Sequence, residues 1–419
     1  LQNPIRATKK WLHQIHVDSD ENEITITHGY SKDHRPDLKQ AVLELVTSQD
    51  DGIPLMMKCF DGNASDNKIF KERCKELLTL FKKGESPRYL VGDSKLYHED
   101  NAINLAEIKF ITRIPRIYKE ERKTISTAIA ENCWVSLGEE NAYAIHKINH
   151  LSIAQRWIVV RSTALKLRYE VTLNKKIEKE YQEAKSALKH LKNKEFSCAH
   201  DAKKELSRIS STFKYHEIIL TKVCAQSRYE KIGRPKKTAE PTETIYQIEA
   251  SIVSLFLRRK EMLMQHSCYI IGTNSVEEEL SAEEVIEAYK NQNASVERGF
   301  RFLKDPQFFV SSFFLKKPAR IMSLLMIMTL SLLVYSVTQK YLRQKLEEKN
   351  ETLPNQINVP IKNPTMRWIF QLMEGIDVVY VKVKGVILKK MTGITKIRQK
   401  IISFLFESVQ KIYQTAEMG

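Results

Sequence analysis

Residues Arg88–Asp93 read RYLVGD, a short apolar run closed by a glycine and then a carboxylate. A continuous apolar run this short suits a strand buried on both faces, because a helix needs ten or more residues to present a face. Asp93 then stands where the buried strand runs out, a place where a carboxylate is held rigidly yet lies exposed at a sheet edge. Lys109–Pro115 (KFITRIP) is a second such run, with room for a helix between the two.

Working outward, Gln14–Asp18 and Ile24–Tyr30 bracket the polar turn Ser19–Glu23 in the pattern of a hairpin. The charged stretch Ser31–Gln40 predicts a loop, and the apolar stretch Ala41–Val46 follows it. After the turn Asp50-Asp51-Gly52, Gly52–Phe60 (GIPLMMKCF) predicts a third strand, and 66–83 has helical spacing that Gly84 stops. Three strands, a helix, a strand, a helix and a strand is the order of an α/β, RNase H-like core, its first part at 1–115. Further on, Ala142–Ile148 and Gln155–Arg161 predict strands, and Ala164–Ser211 predicts a Lys/Glu-rich, solvated helical stretch. Ile232–Thr244 (IGRPKKTAEPTET) reads as a linker and Tyr269–Thr273 as a strand. Ser281-Ala-Glu-Glu284 is a capping box, and the helix it starts is expected to reach Lys304, where Asp305-Pro306 ends it.

The 419 residues are 42% hydrophobic and 28% charged, an ordinary folded composition that excludes a disordered or fibrous chain. The balance of 67 Lys and Arg against 51 Asp and Glu gives +16, and the pI is near 9.3. A polyanionic partner is the natural reading, since basic side chains that neutralise phosphates release condensed counterions. The six cysteines are scattered without a C-x-x-C pair, which argues against zinc and a disulfide framework and fits a reducing cytoplasm. The sequence opens at Leu1 with no signal-peptide pattern and reads as a frame entered partway. Ile321–Val337 (IMSLLMIMTLSLLVYSV) is 17 residues, at the short limit for a bilayer span. Interrupting serines and a threonine, with Lys316, Lys317, Arg320 and Lys340 on its flanks, favour a buried core helix.

Three acids carry the chemistry. Asp18 ends the first strand, Asp93 ends the buried one, and Glu297 lies in the capped helix. Two-metal cleavage of nucleic acid needs carboxylates converging from separate elements to hold two Mg²⁺ ions about 4 Å apart. Singly, each acid reads as a surface charge; the argument rests on the set. On one continuous helix, Tyr289, Glu297 and Lys304 fall within about 80° and 20° of each other at 100° per residue. Arg301 comes one turn after Glu297 and Arg298 adjoins it, a basic set suited to phosphate. The plain alternative is an amphipathic helix with an ordinary Glu297–Arg301 pair.

Tyr289…Glu297-x6-Lys304 resembles the Tyr-Arg-Glu-Lys helix of the DDE transposases in the insertion-sequence-four-like superfamily of bacterial elements. The likeness runs through ITITHGYSKDHRPDLKQ (Ile24–Gln40), GIPLMMKCFDGNASD (Gly52–Asp66), YLVGDSKLY (Tyr89–Tyr97) and GFRFLKDPQFFVSSFFLKKPARI (Gly299–Ile321). Gln292 stands at the motif's Arg position, and the spacing to Glu297 is one residue longer than usual. The resemblance implies that Asp93 is the second catalytic acid and Glu297 the third, with Tyr289, Arg298, Arg301 and Lys304 on DNA. Either Asp18 is the first acid on a shortened hairpin, or that acid precedes Leu1 in an amino-terminally truncated chain. The 204-position separation of Asp93 and Glu297 resembles the long insertions of this group. The fold class expected is therefore α/β, an RNase H-like mixed sheet flanked by helices, with a largely helical insertion domain at 116–265. The core resumes at 266–320, and 321–419 is a helical C-terminal region. Also implied are two Mg²⁺ ions (Mn²⁺ substituting), double-stranded DNA at element ends and target, a homodimer in a synaptic complex, and a cytoplasmic, nucleoid-associated enzyme with no membrane partner. The competing readings are an inactive DNA-binding remnant and a stand-alone RNase H-like nuclease.

Three lesser features have plain explanations. GRPKK (Gly233–Lys237) resembles a minor-groove hook, but a solvated linker is the simpler reading. Trp134 and Trp157 suit core packing better than base stacking, and His13 with His16 lacks a third ligand.

Overall fold

The computed structural model describes residues 2–6, 24–30, 37–49, 51–64, 73, 89–138, 140–229, 241–292, 297–303, 315, 317–383, 386–414 and 416–418. Its architecture is mixed α/β with a large helical share and both parallel and antiparallel strand pairs, consistent with an RNase H-like fold. The chain divides into two compact units, one made of Leu1–Thr112 with Glu284–Gly419, the other of Arg113–Glu283.

In the first unit, β1 (Gln2–Arg6), β2 (Thr27–His28), β3 (Lys39–Thr47) and β4 (Pro54–Phe60) form an antiparallel sheet with β3 at its centre. β1 pairs along one side of β3, while β2 and β4 pair in succession along the other. Central placement explains why β3 is buried from Gln40 through Leu45 with no polar-apolar alternation. Ala41, Leu43 and Leu45 enter the apolar core. Glu44, buried among them, is held by Arg73, whose Nη2 donates to Oε2 at 2.7 Å and Nε at 3.0 Å. Lys39 and Gln40, expected in a loop, belong to this strand, and Gln40 has a partner that periodicity does not reveal. Its Nε2 donates to Gly62 O at 2.7 Å and to Tyr30 O at 3.2 Å, tying the ends of β2 and β4 together. The chain segments pass so closely here that a β-carbon on Gly62 would strike the Gln40 carbonyl. Of the hairpin expected at Gln14–Tyr30, only Ile24–Tyr30 lies within the described residues, and only Thr27–His28 of it is strand. The helix expected at 66–83 lies outside them, except for Arg73.

β5 (Leu90–Gly92) and β6 (Phe110–Arg113) run parallel, Leu90 opposite Phe110 and Gly92 opposite Thr112. Between them a short turn of helix, Glu99–Asn101, leads into α1 (Ala102–Glu107). Leu96, Tyr97, Leu105, Phe110 and Ile111 are buried, and the Tyr97 and Phe110 rings pack with centroids 6.2 Å apart.

The second unit holds α2 (Lys119–Glu131), β7 (Val135–Ser136), β8 (Ala142–His150) and β9 (Ile153–Arg161). Next come α3 (Thr163–Asn193), α4 (Ala199–Ser210), β10 (His216–Arg228), β11 (Glu243–Ser254), α5 (Phe256–His266) and β12 (Cys268–Thr273). β7, β8, β9 and β12 pair antiparallel in that order. Leu151 and Ser152, at φ of 53° and 60°, close the β8–β9 hairpin in the left-handed region that matches strand twist. Trp157 on β9 is fully buried with its Nε1 donating to Gln155 at 2.9 Å, so the core reading holds for it. The expected helical stretch Ala164–Ser211 is two helices, α3 and α4. The expected linker is instead the connection of a two-stranded ribbon: β11 starts at Glu243, paired with Arg228 at the end of β10. GRPKK itself lies outside the described residues. Leu191, Phe196, Ala202, Leu206, Ile218 and Ile248 form the core beneath that ribbon.

The chain returns to the first unit along α6 (Ala282–Gln292) and continues through α7 (Arg298–Leu303) and α8 (Pro318–Glu348). Beyond lie β13 (Leu353–Pro354), β14 (Pro360–Ile361), α9 (Met366–Met373), β15 (Asp377–Val383), β16 (Val386–Thr392), α10 (Lys396–Phe404), α11 (Glu407–Ile412) and β17 (Ala416–Met418). The C-terminal region is thus more than helical: β15, β16 and β17 form an antiparallel sheet, which the β-branched and aromatic residues of β15 and the Val386-Ile387 start of β16 favour. The apolar helix expected at 321–337 is longer than expected and buried on one face. Ile321, Leu325, Met328 and Leu332 pack against β3 and α7, and Leu342 and Leu346 pack against α9 and α10. Its other face exposes Met326, Ile327, Leu330 and Val334; by length and composition α8 is long and apolar enough to cross a membrane.

A buried leucine contributes roughly 1.5–3 kcal/mol by burial alone, and truncation adds the cost of a cavity. Leu43→Ala, at 0% exposure, should therefore destabilise by about 3 kcal/mol. Leu330→Ala, at 53% exposure, should fall within about 0.5 kcal/mol of the parent. Urea unfolding measures both; equal losses would contradict the packing described.

Candidate active site

Asp93 leaves the end of β5 half-buried and is fixed from three directions. Its backbone carbonyl accepts from Thr112 Oγ1 on β6 at 2.7 Å and from Leu96 N at 3.1 Å. Its Oδ1 accepts from Lys95 N at 2.8 Å, closing a local turn of the Asx kind. Gly92 before it lies against Leu96: a β-carbon there would sit 2.7 Å from Leu96 Cδ2. These contacts set the direction of the carboxylate and leave Oδ2 outside the turn. Sequence reasoning found Asp93 from its place at a strand end. It missed Thr112, whose one signal was a hydroxyl between the apolar residues of KFITRIP.

The α6–α7 region is built differently. Ala282, Val285, Ile286 and Ala288 turn one face of α6 inward, while Glu283, Glu284, Glu287 and Lys290 face out. Tyr289 is half-buried and Gln292 buried. The single helix expected from Ser281 to Lys304 is described as two segments, with 293–296 outside the described residues, so the stripe of Tyr289, Glu297 and Lys304 no longer follows from one helical repeat. Glu297 is exposed immediately ahead of α7, and Arg298 and Arg301 follow on it. Behind these charges Gly299, Phe300, Phe302 and Leu303 are all buried. A β-carbon on Gly299 would lie 3.2 Å from both Leu45 Cδ2 on β3 and Leu332 Cδ2 on α8, so the helix is wedged between them. Close approach of these two leucines is the reason for a glycine at this position.

Arg298 bears electrostatically on Tyr335 and Arg343. Burial pushes the Tyr335 hydroxyl up and holds Arg343 below its ordinary value, against the pull of Asp51. Arg343 Nη1 donates to Asp51 Oδ1 at 2.9 Å and Nε to Pro364 O at 3.0 Å, pinning α8 to the β3–β4 turn.

Asp18 and Lys304 lie outside the described residues. Among the described residues, no hydrogen bond or ion pair joins Asp93 to Glu297, none holds Glu297, and no three His, Cys, Asp or Glu side chains gather as a metal site. Asp93 and Glu297 both present hard carboxylate oxygens, the donor type that Mg²⁺ and Mn²⁺ take.

Neither a curated protein nor a solved structure matches this chain. The family described as Transposase DDE domain matches residues 13–334, a span that holds β2 to β12, α6, α7 and the first half of α8, with Asp93 and Glu297 inside it. Since that match covers more than half of the 419 residues, the chain belongs to the DDE transposase family.

Proposed function

We propose that the chain is an insertion-sequence transposase that cuts DNA at the ends of its element and joins the freed ends to target DNA. In the first step water attacks a backbone phosphorus and a 3′-hydroxyl leaves with a proton; in the second that hydroxyl attacks a target phosphodiester and displaces another. The observation that carries the reading is the family match over residues 13–334, a span that includes Asp93 at the end of β5 and Glu297 at the head of a wedged helix.

Asp93, Glu297 and Asp18 are the residues proposed to hold two Mg²⁺ ions, or Mn²⁺ in their place. When bound, the metal supplies Lewis acidity at the attacking and leaving oxygens. Asp93 supplies a carboxylate whose direction its turn restricts, so little reorganisation is needed during reaction. Glu297 has no competing ion pair among the described residues. Arg298, Arg301, Lys304 and Tyr289 are proposed to hold the backbone phosphates beside the cut. The unit Arg113–Glu283, which interrupts the first unit in sequence, supports the reading of an insertion into the catalytic core. A homodimer in a synaptic complex and a nucleoid-associated, cytoplasmic location complete the proposal.

Glu297→Ala and Asp93→Asn should abolish Mg²⁺-dependent cleavage of a labelled element end while leaving most duplex affinity, because carboxylates hold metal rather than DNA. Lys304→Ala should instead weaken binding near the cut, in part, since Arg301 can share the phosphate. Cleavage by Glu297→Ala at the parent rate would make the helix merely structural. Asp18→Asn should be as inactive as Asp93→Asn; full activity in that variant would remove Asp18 from the proposed set of acids. A parent that binds but never cuts with Mg²⁺ or Mn²⁺ would favour a DNA-binding remnant.

On fractionation the protein should partition with the soluble or nucleoid material, because the buried face of α8 belongs to the first unit's core. Carbonate-resistant retention in membranes would contradict this.

A further inference from the structure

Asn101 ends the short turn of helix ahead of α1 and is fully buried, at 0% exposure. Its side chain brings both donors and an acceptor into the interior, where each needs a partner. Only one end finds one. Nδ2 donates to the Leu96 carbonyl at 3.2 Å, which fixes the orientation of the amide, since a carbonyl facing a carbonyl would be repelled. Oδ1 is buried with no hydrogen-bond partner among the described residues. The backbone N–H of Asn101 is already committed to the His98 carbonyl at 2.9 Å. A buried acceptor left unmet destabilises the fold, and a leucine, branched in the same way, would fill the position without that penalty. Asparagine here is therefore a departure from what stability alone favours, and the bond it does make supplies the reason.

Leu96, whose carbonyl Asn101 holds, is the far post of the turn that carries Asp93. Its amide donates to the Asp93 carbonyl at 3.1 Å, next to the Lys95 amide that donates to Asp93 Oδ1 at 2.8 Å. Its side chain is fully buried and lies against Gly92, the residue before the acid. Both peptide groups flanking Leu96 are thus pinned, the amide by Asp93 and the carbonyl by Asn101. With the carbonyl released, Leu96 could turn about its own backbone, and the Lys95 amide that aims the carboxylate would shift with it. Outer partners that orient a metal-binding carboxylate are worth roughly 10–100-fold in metal affinity.

We propose that Asn101 is a positioning residue for Asp93. It holds the far end of the Asp93–Leu96 turn and keeps the carboxylate directed for a metal ion, at a cost in stability that its unmet Oδ1 records. This rests on the reading of Asp93 as a metal ligand, and its test reads metal affinity and stability without requiring cleavage.

The test titrates the full chain with Mn²⁺, following free Mn²⁺ by electron paramagnetic resonance, and compares thermal unfolding in EDTA. Asn101→Leu should melt no lower than the parent, because the unmet acceptor is gone, and yet bind Mn²⁺ about tenfold more weakly. Asn101→Ala should lose the same affinity but melt below the parent, because truncation leaves a cavity. Parent affinity in the leucine variant would overturn the proposal. So would loss of stability together with affinity in both variants, which would make Asn101 a structural residue only. Asp93→Asn separates this proposal from the reading beneath it. Weakened Mn²⁺ binding in Asp93→Asn with parent binding in Asn101→Leu would overturn the positioning role alone. Parent binding in Asp93→Asn would overturn the assignment of Asp93 as a ligand, and the positioning role with it.

Discussion

The first unit depends on the wedging of α7 between β3 and α8. Gly299 sits where any side chain would push against Leu45 and Leu332, and Phe300, Phe302 and Leu303 fill the space around it. This contact is apolar and non-directional, yet it has a directional consequence. It fixes the axis of a short helix whose preceding residue, Glu297, is exposed. A helix of six residues has little stability of its own, so its position comes from this packing rather than from backbone propensity. The same core fixes α8, and through Arg343 and Asp51 it is tied to the turn between β3 and β4.

Asp93 is held by a different kind of force. Its placement rests on hydrogen bonds, from Thr112 across a parallel strand pair and from the Lys95 amide within its own turn. One acid is thus set by hydrophobic packing and the other by polar contacts. Substitutions in the apolar core should disturb Glu297 before Asp93, while loss of the Thr112 hydroxyl should act on Asp93 alone. Basic groups are distributed more widely: Arg298 and Arg301 adjoin Glu297, whereas Arg116, Arg122 and Lys176 belong to the other unit.

Much of this was legible in the sequence where the cause is local. The strand at Leu90–Gly92, half-buried rather than buried, the β8–β9 hairpin, the helix starting after Ser281 and the apolar helix at 321–337 all follow from composition and period, though with shorter or longer bounds. What escaped was set by distant partners. Lys39 and Gln40 look like loop residues until Gln40 is seen to bond Gly62 and Tyr30 across the sheet. The β10–β11 ribbon escaped because its outer half is solvated and carries no clean alternation. The Gly/Pro stretch at its end therefore passed for a linker. At the site, Asp93 was visible as a strand-end acid, but Thr112 was not, since its role exists only once β5 and β6 lie side by side. Glu297 was found through a helical stripe whose middle, 293–296, lies outside the described residues, and what the structure adds is the set of buried residues that follow it.

The central claim is that Asp93 and Glu297 belong to one metal-binding centre. Anomalous scattering from crystals of the protein grown with Mn²⁺ and a duplex tests it most directly. The account predicts Mn²⁺ ligated by carboxylate oxygens of both residues, with the two carboxyl groups within about 10 Å of each other. Mn²⁺ bound by one of them while the other stands more than roughly 15 Å away would contradict it.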